Sequence, residues 1–139
     1  MVFGVAADEV PLAGMPLAQE DLREAVKGCG NPDDRVLRVV RAMRTKPNES
    51  VRWHAGEVGL SERQLRRRFA VAVGLGPKVY LRMVRLHAAM AIARRQSRPE
   101  WADIAVRCGF YDQPHMLAEF NRAVGMSCGR FLQSERAAA

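Results

Sequence analysis

Four arginines lie close together in the sequence GLSERQLRRRF, which spans Gly59–Phe69. A guanidinium group is always protonated and presents its N–H donors in a planar fork, so it can bind a phosphate or the acceptor edge of a guanine. Ser61 is a signal for the start of a helix, because its hydroxyl can accept hydrogen bonds from free N–H groups in the first turn. The stretch therefore predicts a short helix that displays guanidinium groups.

The spacing of the apolar residues indicates which arginines point outward. Leu65 and Phe69 are one helical turn apart and form the predicted buried stripe. At about 100° per residue, Arg67 then points almost directly away from the core, and Arg63 lies beside it. A helix with an apolar back and an arginine front, preceded by another short helix, is typical of a helix-turn-helix that enters a DNA major groove. On this segment alone, a solvated amphipathic helix is the alternative.

The charge of the chain is unevenly distributed. Residues 1–34 contain seven acids and two bases, a balance of −5, so the formal total of +7 leaves +12 for residues 35–139. A polyanion is the natural partner of such a basic body, although a membrane surface or a ribosome would also suit the charge. No stretch approaches the ~18 uninterrupted apolar residues of a membrane span, and we identify no secretory signal.

The three cysteines, Cys29, Cys108 and Cys128, show no C-x-x-C spacing. Reduced intracellular thiols fit this pattern better than a disulfide framework or a zinc site. We therefore expect no metal and no cofactor, and a cytoplasmic, nucleoid-associated location.

Apolar periodicity and helix end signals predict an all-α fold of about seven helices without strands. The expected helices open at Asp33–Asp34 and close before Pro47, then run over Val51–Val58, Ser61–Val73, Pro77–Gln96, Pro99–Cys108, Asp112–Val124 and Ser127–Arg136. The long helix should bury a single side made up of Tyr80, Leu81, Val84, Ala88, Ala91 and Ile92.

The two halves of this region repeat each other. At an offset of 50, Val51, Ala55 and Gly59 correspond to Trp101, Ala105 and Gly109. At an offset of 51, Leu65, Phe69, Gly74, Pro77 and Tyr80 correspond to Met116, Phe120, Gly125, Cys128 and Phe131. The pattern indicates two helix-turn-helix units joined by a helix of about 30 Å. Two such units on one face of DNA must reach successive major grooves about 34 Å apart, which favours DNA as the partner.

The stretches LSERQLRRRFAVAVGLGPKVYLRMVRLHAAMAIA and WADIAVRCGFYDQPHMLAEFNRAVGMSCGRF resemble the DNA-binding domain of the AraC/XylS family of bacterial transcription regulators. The resemblance extends from about Asp33 to Arg136. It implies two helix-turn-helix subdomains joined by a central helix, with residues 61–73 and 112–124 as the recognition helices. The implied function is sequence-specific binding of double-stranded DNA in transcription regulation, without enzymatic activity.

Geometry and resemblance together select Arg63 and Arg67 as base-contacting residues, and the resemblance adds Arg66. Arg68, Lys78 and Arg130 are the expected phosphate contacts. Ser61 is a further phosphate candidate, with helix capping as its alternative role.

The second recognition helix has a less basic face than the first. Under the repeat, Pro114 replaces Arg63 and Ala118 replaces Arg67, although the family commonly has an arginine where Ala118 stands. Gln113 and His115 remain as polar candidates for base contacts. We therefore expect the first helix to dominate base readout, and the second to supply phosphate contacts, thymine-methyl contacts and shape readout.

Two substitutions within the repeat concern stability. His54 falls where the other copy has Ile104, and we expect a partly buried, neutral histidine with one hydrogen-bond partner. Cys128 replaces Pro77, and we expect a packed thiol.

The chain divides into three predicted segments. Residues 1–31 are interpreted as an acidic tether or the remnant of an N-terminal domain, residues 32–96 as the first subdomain with its linker helix 77–96, and residues 97–139 as the second. RNA polymerase is a candidate partner, and an effector or a dimer partner would act through a missing N-terminal domain. The alternatives are the DNA-binding module of a DNA-repair methyltransferase-like protein and a basic protein-interaction module.

Overall fold

The computed structural model describes residues 33–139, so the acidic segment 1–31 lies outside the described residues. Residues 33–139 contain no strand and form seven α-helices, which confirms the all-α fold. In chain order the helices are α1 (Asp34–Thr45), α2 (Val51–Glu57), α3 (Glu62–Val73), α4 (Pro77–Arg94), α5 (Trp101–Arg107), α6 (Gln113–Val124) and α7 (Cys128–Ala138).

The end of the long helix α4 differs slightly from the prediction. The helix ends at Arg94 rather than at Gln96, and the next helix begins at Trp101 rather than at Pro99. The side chain of Arg136 explains the earlier end, because its Nη2 donates to the carbonyl oxygens of Gln96 (2.6 Å) and Ala93 (3.4 Å). A cation that satisfies the last carbonyls of a helix stabilises its C-terminus at that point.

Helix α4 belongs to two hydrophobic cores. Its N-terminal half contributes Tyr80, Leu81, Met83 and Val84 to a core shared with α1, α2 and α3. Its C-terminal half contributes Leu86, Ala89, Met90 and Ala93 to a core shared with α5, α6 and α7. We call α1–α3 with the N-terminal half of α4 the first unit, and α5–α7 with the C-terminal half of α4 the second unit.

The prediction of a single buried side for α4 was therefore wrong. Ala91 is exposed, and Ala88 and Ile92 are only half-buried. The physical reason is that two bodies pack on different sides of one rod, so the buried stripe changes direction along the helix.

The internal repeat is present in three dimensions. Gly59 and Gly109 both have positive φ values, 72° and 90°. The next residue donates its N–H to the alanine carbonyl of the preceding helix in each copy, Leu60 to Ala55 and Phe110 to Ala105, both at 2.9 Å. The equivalent aromatic pairs Phe69–Tyr80 and Phe120–Phe131 both have ring centroids 5.5 Å apart. Helices α2–α3–α4 and α5–α6–α7 are thus two copies of one arrangement, and α1 is the additional helix of the first unit.

Candidate nucleic-acid interface

The ends and the apolar face of α3 fix its orientation. Ser61 Oγ accepts a hydrogen bond from the Gln64 N–H (3.1 Å), and the Ser61 N–H donates to Gln64 Oε1 (2.9 Å), which forms a complete capping box. Leu65 and Phe69 are fully buried, and the helix ends at Gly74 in the left-handed conformation. The opposite face of the helix is consequently held toward solvent.

Arg63 and Arg67 are exposed on that face. Within residues 33–139, neither guanidinium has a hydrogen-bond or ion-pair partner. Their donors are therefore available to an acceptor outside this part of the chain, and binding one would break no existing ion pair. An arginine in this situation can donate two hydrogen bonds to guanine O6 and N7.

The other basic side chains around α3 have acidic neighbours. Arg66 and Lys78 both approach Glu62 Oε1, at 3.9 Å and 4.0 Å. Arg68 Nη1 donates to Asp33 Oδ2 at 3.4 Å. The three basic residues are exposed, and ion pairs of exposed side chains contribute only about 0–1 kcal/mol. A phosphate could replace these carboxylates at small cost, so the pairs do not conflict with a phosphate-contacting role.

Helix α6 is anchored by fewer buried side chains than α3. Met116 and Phe120 are buried, and Asp112 Oδ1 caps the helix by accepting from the His115 N–H at 2.8 Å. Pro114 and Ala118 are exposed, as the repeat predicted, and Gln113 is half-buried. At the two positions where α3 carries Arg63 and Arg67, α6 therefore carries the uncharged Pro114 and Ala118.

The imidazole of His115 is held against its own helix, a feature that the sequence reasoning missed. Its Nδ1 accepts from the Tyr111 N–H at 3.4 Å, and its Nε2 lies 3.6 Å from Glu119 Oε1. Its ring also packs edge-on against Phe110, with centroids 5.8 Å apart. Spacing could have indicated the approach to Glu119, because the two residues are four apart on one helix.

Arg130 is exposed on α7, and its backbone N–H donates to the capping hydroxyl of Ser127 at 3.3 Å. No other side chain among the described residues pairs with its guanidinium. The position leaves Arg130 available to an anion near the start of α7.

The sequence reasoning missed the exposed apolar side chains, of which two lie near the predicted recognition helices. Val71 is 75% exposed and Tyr111 is 89% exposed. Val71 lies one turn after Arg67 on the outward face of α3, so the helical spacing could have identified it. An exposed apolar group beside arginines suits contact with a thymine methyl group.

Both recognition helices border the same cleft of about 480 Å³ between the two units. Glu62 of α3 lines one part of it, and His115 and Glu119 of α6 line another. The cleft is also lined by basic side chains, namely Arg52, Lys78, Arg82 and Arg85. The two helices are thus placed on either side of one basic depression.

The part of the chain that the structure describes was also searched for metal sites and membrane spans. Residues 33–139 bring together no group of three or more His, Cys, Asp or Glu residues suited to a metal ion. None of the described helices is both long enough and apolar enough to span a bilayer.

These features define a helix-turn-helix protein with two units. A family model described as a helix-turn-helix domain matches residues 54–134. The HTH-type transcriptional activator RhaR of Klebsiella pneumoniae is 36% identical over 106 residues, which are 76% of this chain and 37% of that protein. The HTH-type transcriptional activator RhaS of Citrobacter koseri is 34% identical over 99 residues, 70% of this chain and 35% of that protein.

Solved structures show the same fold. The DNA-binding domain of the global transcriptional factor AdpA, in complex with a target DNA, has a TM-score of 0.66 and 26% identity, covering 76% of this chain and 96% of that one. An AraC-type regulator from Chromobacterium violaceum has a TM-score of 0.64 and 26% identity, covering 75% and 93%. The chain belongs to the AraC family of helix-turn-helix proteins. It spans little more than a third of the length of the RhaR and RhaS proteins.

Proposed function

We propose that this chain binds double-stranded DNA sequence-specifically as the DNA-binding part of a bacterial transcription regulator. The observation that carries the proposal is the exposed, unpaired state of Arg63 and Arg67 on a helix whose cap and core fix its orientation. Family membership supports the same function, because the relatives are transcriptional activators and one structural neighbour was solved with a target DNA.

Helices α3 and α6 enter successive major grooves in this proposal. The 18 residues of α4 form a rod of about 27 Å at 1.5 Å per residue. That length, together with the widths of the two units, suits grooves about 34 Å apart on one face of DNA. Helices α3 and α6 also line the same cleft, which supports the proposal that both face the DNA from one side of the protein.

The first helix supplies most of the sequence discrimination. Arg63 and Arg67 contact bases. Arg66 also contacts a base once its ion pair with Glu62 is broken. Arg68, Lys78 and Arg130 contact phosphates, each neutralised phosphate contributing about −0.9 to the slope of log K against log salt. Helix α6, with Gln113 and His115 as its candidates for base contacts, adds shape readout and phosphate contacts.

The proposal also divides the chain at about residue 96 into two DNA-contacting subdomains. It interprets residues 1–31 as an acidic tether or the remnant of a domain. Contacts with RNA polymerase, and with an effector or second subunit through a further N-terminal domain, would complete a regulator acting on the nucleoid.

We also propose that neither cysteine of the described residues 33–139 accepts a methyl group. Cys108 and Cys128 are buried free thiols. Burial raises the pKa of both, that of Cys128 to about 11. Since the thiolate is the reactive form, these two side chains are poor nucleophiles, which argues against the methyltransferase alternative.

The test has two stages. Selection from randomised duplex DNA should first yield a site with two half-sites about one helical turn apart. On that site, Arg67→Ala should weaken binding about 10- to 100-fold, equivalent to about 1.4–2.7 kcal/mol, with a much smaller loss on random DNA. Fluorescence anisotropy measures both. The matched variant Gln113→Ala should have little effect.

Two results would contradict the proposal. If the selection enriches no DNA sequence, the protein does not bind DNA sequence-specifically. Equal sequence-selective losses for Arg67→Ala and Gln113→Ala would retain DNA binding but overturn the dominance of the first helix.

A further inference from the structure

The turn before α6 packs directly on a loop of the first unit. A Cβ atom added at Gly109 would lie 2.7 Å from Asn48 Cα, 2.9 Å from Pro47 O and 2.9 Å from Arg85 Nε. Real Cβ atoms essentially never approach another atom this closely. The second unit thus touches the first backbone to backbone, at a point where only a glycine fits.

Arg85 of α4 fastens the same loop. Its Nε donates to Pro47 O at 2.6 Å, and its Nη2 donates to Glu49 O at 3.1 Å. On the other side of the loop, His54 Nε2 lies 3.1 Å from Lys46 O. Three of the four carbonyls of the Lys46–Glu49 loop therefore have a side-chain partner, so the surface on which Gly109 rests is itself fixed.

A second contact joins the units a short distance away. Arg82, one turn before Arg85 on α4, places Nη1 3.4 Å from Glu119 Oε2 on α6. The Glu119 side chain is only 12% exposed, so this pair is better shielded from solvent than an ordinary surface pair. Two separate contacts resist rotation of one unit about α4 more effectively than one contact does.

We infer that the Gly109 turn, Arg85 and the Lys46–Glu49 loop form a joint that sets the distance and angle between α3 and α6. The joint therefore determines which spacing between two DNA half-sites the protein accepts. Arg85 and Gly109 are positioning residues that contact no base. This inference rests on the proposed function for its biological consequence, but the geometry of the joint can be tested without DNA.

The internal repeat provides a matched control. Gly59 occupies the equivalent turn of the first unit with φ 72°, and a Cβ atom there meets nothing within 4 Å. Gly59→Ala and Gly109→Ala both place an alanine at positive φ, a conformation that is strained for any residue that carries a Cβ. Only Gly109→Ala adds a collision between the two units. A difference between the two variants therefore reports on the joint and not on local backbone strain.

The first measurement uses DNA in which the spacing between the half-sites is changed in single base-pair steps. The wild-type protein and Gly59→Ala should share one sharp optimum. Gly109→Ala should lose about tenfold in affinity at that spacing, equivalent to 1.4 kcal/mol, and should show a shifted or broadened optimum. Its affinity for the first half-site alone should match that of the wild type. Identical spacing profiles for the two glycine variants would overturn the inference.

The second measurement needs no DNA. Spin labels are attached at Ala70→Cys in α3 and Ala118→Cys in α6, both exposed positions, in a protein that also carries Cys29→Ser. Pulsed electron paramagnetic resonance then reports the distance between the two recognition helices. Gly109→Ala should shift or widen the distance distribution and Gly59→Ala should not. If the protein selects no DNA sequence but the distance distributions of the two glycine variants differ, the proposed function is wrong and the inference about the joint still holds. If the distribution is unchanged, the joint fails.

Arg85→Lys provides a second variant if Gly109→Ala does not fold. Lysine keeps the charge, but its single ammonium group cannot reproduce the two donors that reach Pro47 O and Glu49 O. We expect a wider distance distribution and a broader spacing optimum than in the wild type. A folded Arg85→Lys protein that behaves as the wild type in both measurements would also overturn the inference.

Discussion

The two units share a backbone plan but differ in how completely they are packed. Helix α3 buries Leu65, Phe69, Ala72 and Val73, whereas α6 buries only Met116 and Phe120. Phe69 packs against the fully buried Tyr80, but the partner of Phe120, Phe131, is half-buried. The first unit also has α1, which contributes four buried side chains of its own. The first unit therefore has the larger and better enclosed core.

The difference extends to the solvent face. The first unit presents free arginines on its recognition helix, and the second presents Pro114 and Ala118 at the equivalent positions. Both copies nevertheless have a turn glycine with positive φ and an aromatic pair with ring centroids 5.5 Å apart. The residues that build a helix-turn-helix are thus separate from the residues that give it a ligand. One copy can lack guanidinium groups at these two positions and still keep the backbone arrangement of the other.

The largest expected effect concerns the unequal cores. Phe69→Ala should reduce the free energy of unfolding by about 3–5 kcal/mol, the usual range for a buried phenylalanine. Phe120→Ala should cost less, because the half-buried neighbours of Phe120 can move into the space and the loss depends on how well the site collapses. Denaturant unfolding of both variants gives the two values.

Amide hydrogen exchange of the wild-type protein provides a second test of the same difference. Amides of α6 and α7 should exchange before those of α1 and α3, since regions with fewer buried contacts open at lower free energy. Equal losses for the two phenylalanine variants, together with uniform exchange, would show that the units are equally stable.

The sequence was sufficient for the parts of the fold that depend on local signals. Ser61 and Asp112 cap the helices that they were predicted to cap, and the exposed positions of Arg63 and Arg67 follow from the spacing of Leu65 and Phe69. These features depend on neighbours within a turn or two, which periodicity and capping preferences describe directly.

The contacts between the units could not be predicted in this way. The approach of Gly109 to Asn48 and the bonds of Arg85 to the Pro47–Glu49 carbonyls join residues more than 35 positions apart. These contacts depend on how the two units pack around α4, and residue spacing in the sequence does not predict that packing. The same cause made the prediction of one buried side for α4 wrong at Ala91. Whether Arg63, Arg66 and Arg67 contact bases remains a prediction.

The next prediction concerns pH and a position at which the two units differ. His54 is fully buried in the first unit, where its Nε2 forms a hydrogen bond with Lys46 O, whereas the second unit has Ile104 at this position. Burial lowers the pKa of His54 below its ordinary value of 6.5. The unfolded chain then binds the proton more readily than the folded one, so stability is fully present above about pH 6.5 and is lost as the pH falls toward the folded pKa. Thermal unfolding at a series of pH values should show this decline.

His54→Ile, which copies the second unit, should remove that part of the pH dependence. The carbonyl of Lys46 keeps a partner in this variant, because it also accepts from the Glu49 N–H at 3.3 Å. The difference in unfolding temperature between the two proteins isolates His54 from the carboxylates that titrate at lower pH. If the unfolding temperatures of the wild type and His54→Ile fall equally as the pH is lowered, His54 has no role in the acid sensitivity of the protein.

The smallest expected effect concerns Ser61. Its hydroxyl accepts from the Gln64 N–H and its backbone N–H donates to Gln64 Oε1, whereas Asp112 caps α6 without a reciprocal side chain at His115. Ser61→Ala should destabilise the protein by about 1 kcal/mol through loss of the cap. Ser61→Asp should retain the cap, since aspartate is an equally good N-cap residue, while placing a negative charge at the DNA-facing end of the helix. If Ser61 also contacts a phosphate, Ser61→Asp will melt like the wild type and bind DNA more weakly because of charge repulsion. Unchanged affinity for Ser61→Asp at low salt would limit Ser61 to capping, and the phosphate contacts near α3 would then rest on Arg68 and Lys78.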